Sequence, residues 1–199
     1  MRLIVGLGNV GGEFRETRHN TGFEALDRLA QTLGASFEKQ ERFQALIARP
    51  SREEVLLVKP ATFMNKSGEA IAALARFYKL EPSKIWVVYD DVDLPVGTAR
   101  SRVRGMGRTR HKGLLSIATS LGTHDFPRFR VGIAQATGNI QAADRPREPL
   151  DLKDFVLSPF DNRELPLVEK SIAWVVKEIL AALKRNQVTS KTLTKGVST

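Results

Sequence analysis

Met1 to Phe23, MRLIVGLGNVGGEFRETRHNTGF, is the stretch on which the fold turns. Leu3 to Leu7 is a short apolar strand, Gly6-Leu7-Gly8-Asn9-Val10-Gly11 is a glycine-broken turn, and Thr17-Arg18-His19-Asn20 is a polar run directly before a helix start. The turn satisfies G-x-G-x-x-G, the spacing that seats a pyrophosphate on a helix N-terminus. That use needs a helix entered at the third glycine and an acid ending a second strand. Gly12 to Thr17 has no amphipathic period, and Asp27 and Glu38 lie in or just after the first helix. The glycines fit better as an irregular backbone passing close to a substrate.

From this stretch the pattern continues as alternating strands and helices. Thr21-Gly22-Phe23-Glu24 reads as a capping box, opening a helix whose core face is Phe23, Leu26, Leu29, Ala30 and Leu33, with Gly34 as the stop. Residues 43–50 and 54–59 read as a strand pair around Ser51-Arg52. A helix follows Asn65, with Ile71, Leu74, Ala75 and Tyr78 inward. Lys84 to Tyr89 (KIWVVY) is a continuous apolar strand of the kind found at the centre of a parallel sheet, ending at Asp90. Thr98 to Arg104 is a half-exposed strand, Leu114 to Leu121 a helix and Phe129 to Ala134 a further strand. Residues 135–153 are a polar loop, of which 135–149 is a candidate lid. Asp161 to Lys184 is the longest helix, with Asp161-x-x-Glu164 as a second capping box.

The class expected is α/β: one domain, residues 1–185, with a mixed, mainly parallel central sheet and helices on both faces. Residues 186–199 are a polar tail expected to fray. In such sheets ligands sit at the carboxyl ends of strands, which puts Asn9 and Asp90 at one edge of the sheet, facing one crevice.

Composition bounds the function. The chain of 199 residues has no cysteine, which removes disulfides, thiolate metal sites and cysteine nucleophiles. No run approaches the roughly 20 apolar residues of a membrane span, and the N-terminal run is too short for a signal segment. A cytoplasmic location is therefore expected. The net charge is +9, and it is clustered: Arg100, Arg102, Arg104, Arg108, Arg110, His111 and Lys112 occur with no acid among them. Such density is the footprint of a polyphosphate partner, nucleic acid above all.

There are three histidines, His19, His111 and His124. His124 reads as a surface residue. His19 lies before a helix near the strand-end crevice, and Asp90 is the type of carboxylate that orients an imidazole and stabilises its charged form. No serine sits in a nucleophile elbow and no H-E-x-x-H occurs, so direct attack by water, without metal or covalent intermediate, is the chemistry that remains. Lys59 to Gly68 (KPATFMNKSG) is the other unusual stretch. Phe63 and Met64 can anchor a helix in the core and Asn65 can be an ordinary N-cap.

Taken together, GLGN with TRHNTGF, KPATFMNKSG, VVYDDVDLPVG, RFRVGIA and DFVLSPF resemble the bacterial peptidyl-tRNA hydrolase family, from Arg2 to about Lys184. The resemblance implies hydrolysis of the ester joining a nascent peptide to the 3′-terminal ribose of tRNA, by a monomeric, cofactor-free and metal-free cytosolic enzyme. By position it implies His19 as general base for water, Asp90 as the carboxylate holding its tautomer, and Asn9 as the amide placing the peptide carbonyl. It implies substrate or tRNA contacts for Asn65, Met64, Phe14, Phe63, His111 and Lys112, and phosphate contacts for Arg102 and Arg130.

The chain departs from the family at Arg104 to Gly113, where a glycine-rich loop ending Gly-His-Asn-Gly is usual. Lys112 stands in place of the asparagine; an ammonium donates hydrogen bonds but accepts none, and it can depress the pKa of His19 if it points inward. Phe14 replaces a usual tyrosine, Val10 a proline, and Gln135-Ala136 an Arg-Pro-like pair. The altered loop motivates an alternative, a non-catalytic RNA-binding protein on the same fold. The dinucleotide oxidoreductase is the third.

Overall fold

The computed structural model describes residues 1–51, 53–105, 107, 109–135 and 152–194. The candidate lid at 135–149 lies almost wholly outside the described residues.

Eight strands form one sheet in the order β2-β3-β4-β1-β5-β7-β6-β8. β1 (Arg2–Gly6), β4 (Val55–Pro60), β5 (Ile85–Pro95) and β7 (Arg128–Ala134) form a parallel core, with β1 between β4 and β5. Antiparallel strands flank it: β3 (Ala45–Ala48) and β2 (Glu38–Gln40) on one side, β6 (Ala99–Arg102) and β8 (Lys191–Leu193) on the other. The mixed, centrally parallel sheet expected from the sequence is present.

Strand periodicity splits the core in two. Ile4, Leu57, Trp86 and Val88 point to the face covered by α1 (Thr21–Thr32) and α5 (Leu165–Arg185), which the short α4 (Leu152–Leu157) precedes where the end of the 135–153 loop was expected. Leu3, Val5, Leu56, Val58 and Val87 point to the face covered by α2 (Ser67–Tyr78) and α3 (Lys112–Leu121). Because both faces are dry, the inner strands must be apolar throughout, which is why KIWVVY shows no alternation. β6 lies nearer the edge and does alternate: Ala99 and Ser101 are buried, Arg100 and Arg102 partly exposed.

The glycine motif serves packing. A methyl group at Gly6 would collide with the Gly22 carbonyl, and one at Gly22 would strike the Leu7 and Val88 carbonyls. The two glycines let α1 lie directly on β1 and β5. After Gly11 there is only a 3-10 turn, Gly12–Phe14, and α1 begins ten residues later. No helix N-terminus follows the glycines, so the dinucleotide seat does not exist.

Four local expectations are corrected. Asp90 does not end its strand: β5 runs on to Pro95, through a register shift against β7 between Asp91 and Pro95. The strand outlasts β1, however, whose pairing stops at Gly6 opposite Val88. Asp90 thus still lies beyond the carboxyl end of β1. The Thr21 capping box does not form; the Thr21 hydroxyl is buried without a partner, because a 3-10 turn, Arg18–Asn20, feeds straight into α1. Asn65 is not the cap of α2, which Lys66 precedes without any side-chain cap. Residues 186–199 are not all frayed: β8 pairs with β6, and Val188 is buried in the core. The second capping box does form in both directions, Glu164 N–H to Asp161 Oδ1 at 2.9 Å and Asp161 N–H to Glu164 Oε2 at 3.0 Å.

Candidate active site

Sheet register and one short turn assemble the crevice. The 3-10 turn Arg18–Asn20 sits over the end of β1 and brings its middle residue to β5. His19 Nδ1 lies 2.9 Å and 3.0 Å from the two oxygens of Asp90. Asp90, 2% exposed, is ionised and accepts only, so Nδ1 carries the proton and Nε2 keeps its lone pair. Burial opposes charge on Asp90, but the imidazoles of His19 and His111 outweigh it and hold the carboxyl far below the usual range. Burial likewise disfavours the His19 imidazolium. The Asp90 charge and hydrogen bond more than compensate, raising the His19 pKa above 6.5 while the Lys112 ammonium pulls the other way.

The second imidazole is the surprise of the site. His111 was expected within a basic run facing RNA; instead its ring turns inward, with Nε2 2.9 Å from Asp90 Oδ1. Its Nδ1 accepts the Leu114 N–H at 3.2 Å and so caps α3. An acceptor at Nδ1 requires the proton at Nε2, which settles the neutral tautomer. Asp90 thus accepts two imidazole N–H groups, and the two rings lie 4.9 Å apart. These three residues also bring metal-ligand atoms within 4.8 Å of one another. Asp90 already accepts from both rings, and a cation at His111 Nε2 would displace the proton that goes with the helix cap. The donor set is a hydrogen-bonded cluster, poorly suited to an ion.

Asn9 is placed by a residue that the sequence singled out only as part of TRHN. Asn20 Oδ1 accepts the Asn9 N–H at 2.8 Å and Asn20 Nδ2 donates to the Asn9 carbonyl at 3.0 Å. One side-chain amide replaces a missing strand partner, and among the described residues the Asn9 side chain has no hydrogen-bond partner. Across the crevice, Met64–Lys66 is another 3-10 turn. Met64 is buried, its sulfur in the space a methyl group on Gly113 would need, together with Leu7 and the His111 ring. Asn65 and Lys112 are exposed. Phe63 is 77% exposed and Val10 50%, while Phe14 is half-buried in its turn. His124 is exposed, as expected.

The basic residues lie on the β6–β7 ladder. Arg100 faces Arg130 and Arg102 faces Arg128 in register, so all four guanidinium stems leave one face of the sheet. Directly opposed like charges are destabilising. Burial and the Arg130 and Arg102 charges lower the Arg100 pKa. Among the described residues, Asp91 pairs with Arg130, and buried Arg128 donates to the Arg104 and Gly105 carbonyls beneath the loop that carries His111. The surface has the electrostatics of an anion-binding face.

The fold and the His–Asp cluster at its strand ends define a class: an α/β protein whose strand-end crevice is lined by imidazole, carboxylate and amide groups. The particular family follows from comparison with known proteins. A family model described as peptidyl-tRNA hydrolase matches residues 3–197. The peptidyl-tRNA hydrolase of Syntrophomonas wolfei is 45% identical over 175 residues, 86% of this chain and 87% of the relative. That of Aquifex aeolicus is 41% identical over 186 residues, 93% and 89% of the two chains. The crystal structure of peptidyl-tRNA hydrolase from Acinetobacter baumannii superposes with a TM-score of 0.81 at 29% identity, covering 94% of this chain and 89% of that one. The chain belongs to the peptidyl-tRNA hydrolase family.

Proposed function

We propose that this chain hydrolyses the ester between a peptide and the 3′-terminal ribose of tRNA, with His19 as general base. The observation that carries the mechanism is the His19 Nδ1–Asp90 hydrogen bond, which leaves Nε2 as the acceptor. A water proton moves to Nε2 as the water oxygen bonds to the ester carbonyl carbon. Asp90 stabilises the imidazolium that forms. The tetrahedral intermediate collapses with cleavage of the carbon–oxygen bond to ribose, and the proton on Nε2 passes to the departing ribose oxygen. A base so placed contributes about 10²–10⁴-fold.

The side-chain amide of Asn9 places the peptide carbonyl, and that of Asn65 donates near the scissile ester, where one aligned donor is worth about 10²–10³-fold. Among the described residues neither spends its amide on another protein group, which leaves both free for substrate. Phe63 and Phe14 offer aromatic surface to the terminal bases, Met64 supports Asn65 from below, and His111 braces Asp90. Arg102 and Arg130 take phosphates of the acceptor end, which relieves the like-charge ladder. Lys112 lies beside the cluster as an extra cation toward the same substrate. The enzyme acts as a monomer in the cytoplasm, without metal or cofactor; no helix among the described residues is long and apolar enough to cross a membrane.

Release of N-acetyl-aminoacyl groups from tRNA tests this. Wild type should turn over, and His19→Ala should lose about 10³-fold in kcat/KM with its circular dichroism unchanged. Undiminished release by His19→Ala would overturn the mechanism. Absence of wild-type turnover, with tRNA still bound, would return the protein to the non-catalytic RNA-binding class.

A further inference from the structure

The residue before His19 is a buried arginine whose partners all lie more than a hundred residues away. Arg18 is 3% exposed. Its guanidinium forks onto Glu164, with NH2 to Oε2 at 2.6 Å and NH1 to Oε1 at 3.1 Å. NH1 also donates to the Ile133 carbonyl at 3.2 Å, and Nε to Ser158 Oγ at 3.3 Å. The rings of Phe155 and Phe160 each lie 4.6 Å from the guanidinium carbon. The main chain follows the side chain: Arg18 N–H donates to the Ser158 carbonyl at 3.0 Å, and Thr17 bridges to Pro159. Glu164 is itself held, since its Oε2 accepts the Asp161 N–H in the turn that leads into α5.

We infer that the Arg18–Glu164 pair is a positioning device for His19, locking the rotation of the 3-10 turn so that the imidazole meets Asp90. The proposal rests on His19 being the general base. Successive residues of a 3-10 turn project about 120° apart. Fixing the first therefore sets the direction of the second. In this turn three consecutive side chains are tied in three directions: Arg18 to the 158–164 segment, His19 to Asp90, and Asn20 to Asn9. A lysine at 18 would keep the charge but lose the planar fork that makes the anchor directional.

The pair also has the composition of a device kept for geometry. A buried ion pair is commonly replaceable by apolar residues of similar volume with little loss of stability, whereas removing one partner strands the other charge. The informative variant is therefore the double exchange Arg18→Met/Glu164→Leu, with Arg18→Lys as the milder probe that retains both charges. Turnover of N-acetyl-aminoacyl-tRNA is followed against pH, with circular dichroism and thermal melting as controls.

The expected result is a fall in kcat of about 10–100-fold, the scale of a misplacement of roughly 1 Å, with KM changed less than about 2-fold. The ascending limb of kcat should also move to lower pH. Away from Asp90, the imidazole keeps the burial and the Lys112 charge that lower its pKa and loses the interaction that raises it. Should the double variant not fold, Arg18→Lys decides by the same readouts. A folded variant with wild-type kcat overturns the proposal, as does a fall in kcat with the limb unmoved, which marks the pair as merely structural. Either failure is separate from failure of the general-base mechanism, which shows instead as an active His19→Ala.

Discussion

The two walls of the crevice are built on opposite principles. On the β1 side the reactive groups are tied down: His19 to Asp90, Asn20 to the Asn9 backbone, Arg18 to Glu164. On the α2–α3 side, Asn65 and Lys112 project into solvent from the first turns of their elements, over a buried floor of Met64, Gly113 and His111. A general base must hold one tautomer and one direction before substrate arrives, so its wall invests hydrogen bonds within the protein. Groups that grip a substrate must keep their donors unspent. Preorganisation on one wall and availability on the other are the two halves of the same site.

Breaking the His19–Asp90 tie should have the largest effect. Asp90→Asn places an amide where the carboxylate accepts two imidazole N–H groups. The amide nitrogen then faces His19 Nδ1 as a donor, which favours the tautomer with the proton on Nε2, useless as a base. Activity should fall about 10²-fold or more. With the Asp90 charge gone, burial and Lys112 dominate, so the residual ascending limb shifts to lower pH; a limb left in place would separate Asp90 from the titration of His19. Asn20→Ala comes next. It frees the Asn9 backbone and leaves one part-buried N–H and one carbonyl without their partner, at a cost of about 1–3 kcal/mol. A lowered melting temperature and a fall of about 10-fold in kcat should appear together, and unaltered kcat would show that Asn9 needs no clamp.

Lys112, on the available wall, should respond least. Lys112→Asn removes a cation that depresses the His19 pKa, so the ascending limb of the pH profile moves to higher pH, opposite in direction to Asp90→Asn. If the limb does not move, the ammonium points away from the imidazole. The two variants together show whether the walls communicate through charge.

Much of this was legible from local pattern. The apolar runs at Leu3–Leu7 and Lys84–Tyr89 announced inner strands, and the i, i+3, i+4 spacing in Phe23–Leu33 announced α1. His19 and Asp90 were identifiable as candidates because one lies just before a helix start and the other follows the apolar run of β5. What escaped was long-range. β8 is three residues of a polar segment, and pairing with β6 gives it order that composition does not suggest. Asn20 and Thr21 looked like a helix entrance, but a 3-10 turn took over the entrance and released Asn20 for Asn9. His111 was read as one more member of a basic run, because nothing local says that its ring would turn in to Asp90. Glu164 looked like a cap, which it is, and its second duty toward Arg18 depends on a contact 146 positions away.

Local sequence was enough for the inner strands and the main helices, the alternation that makes the sheet parallel at its centre, and the polar residues after the apolar runs. Those follow from side-chain period and backbone preference, which act within a few residues. Only the tertiary structure decided that Asp90 would serve two imidazoles, that the G-x-G-x-x-G would become a helix-packing surface, and that a buried arginine would stand behind His19. Each of these is a pairing across the chain, set by sheet order and by the need to satisfy buried charge, and no local period encodes it.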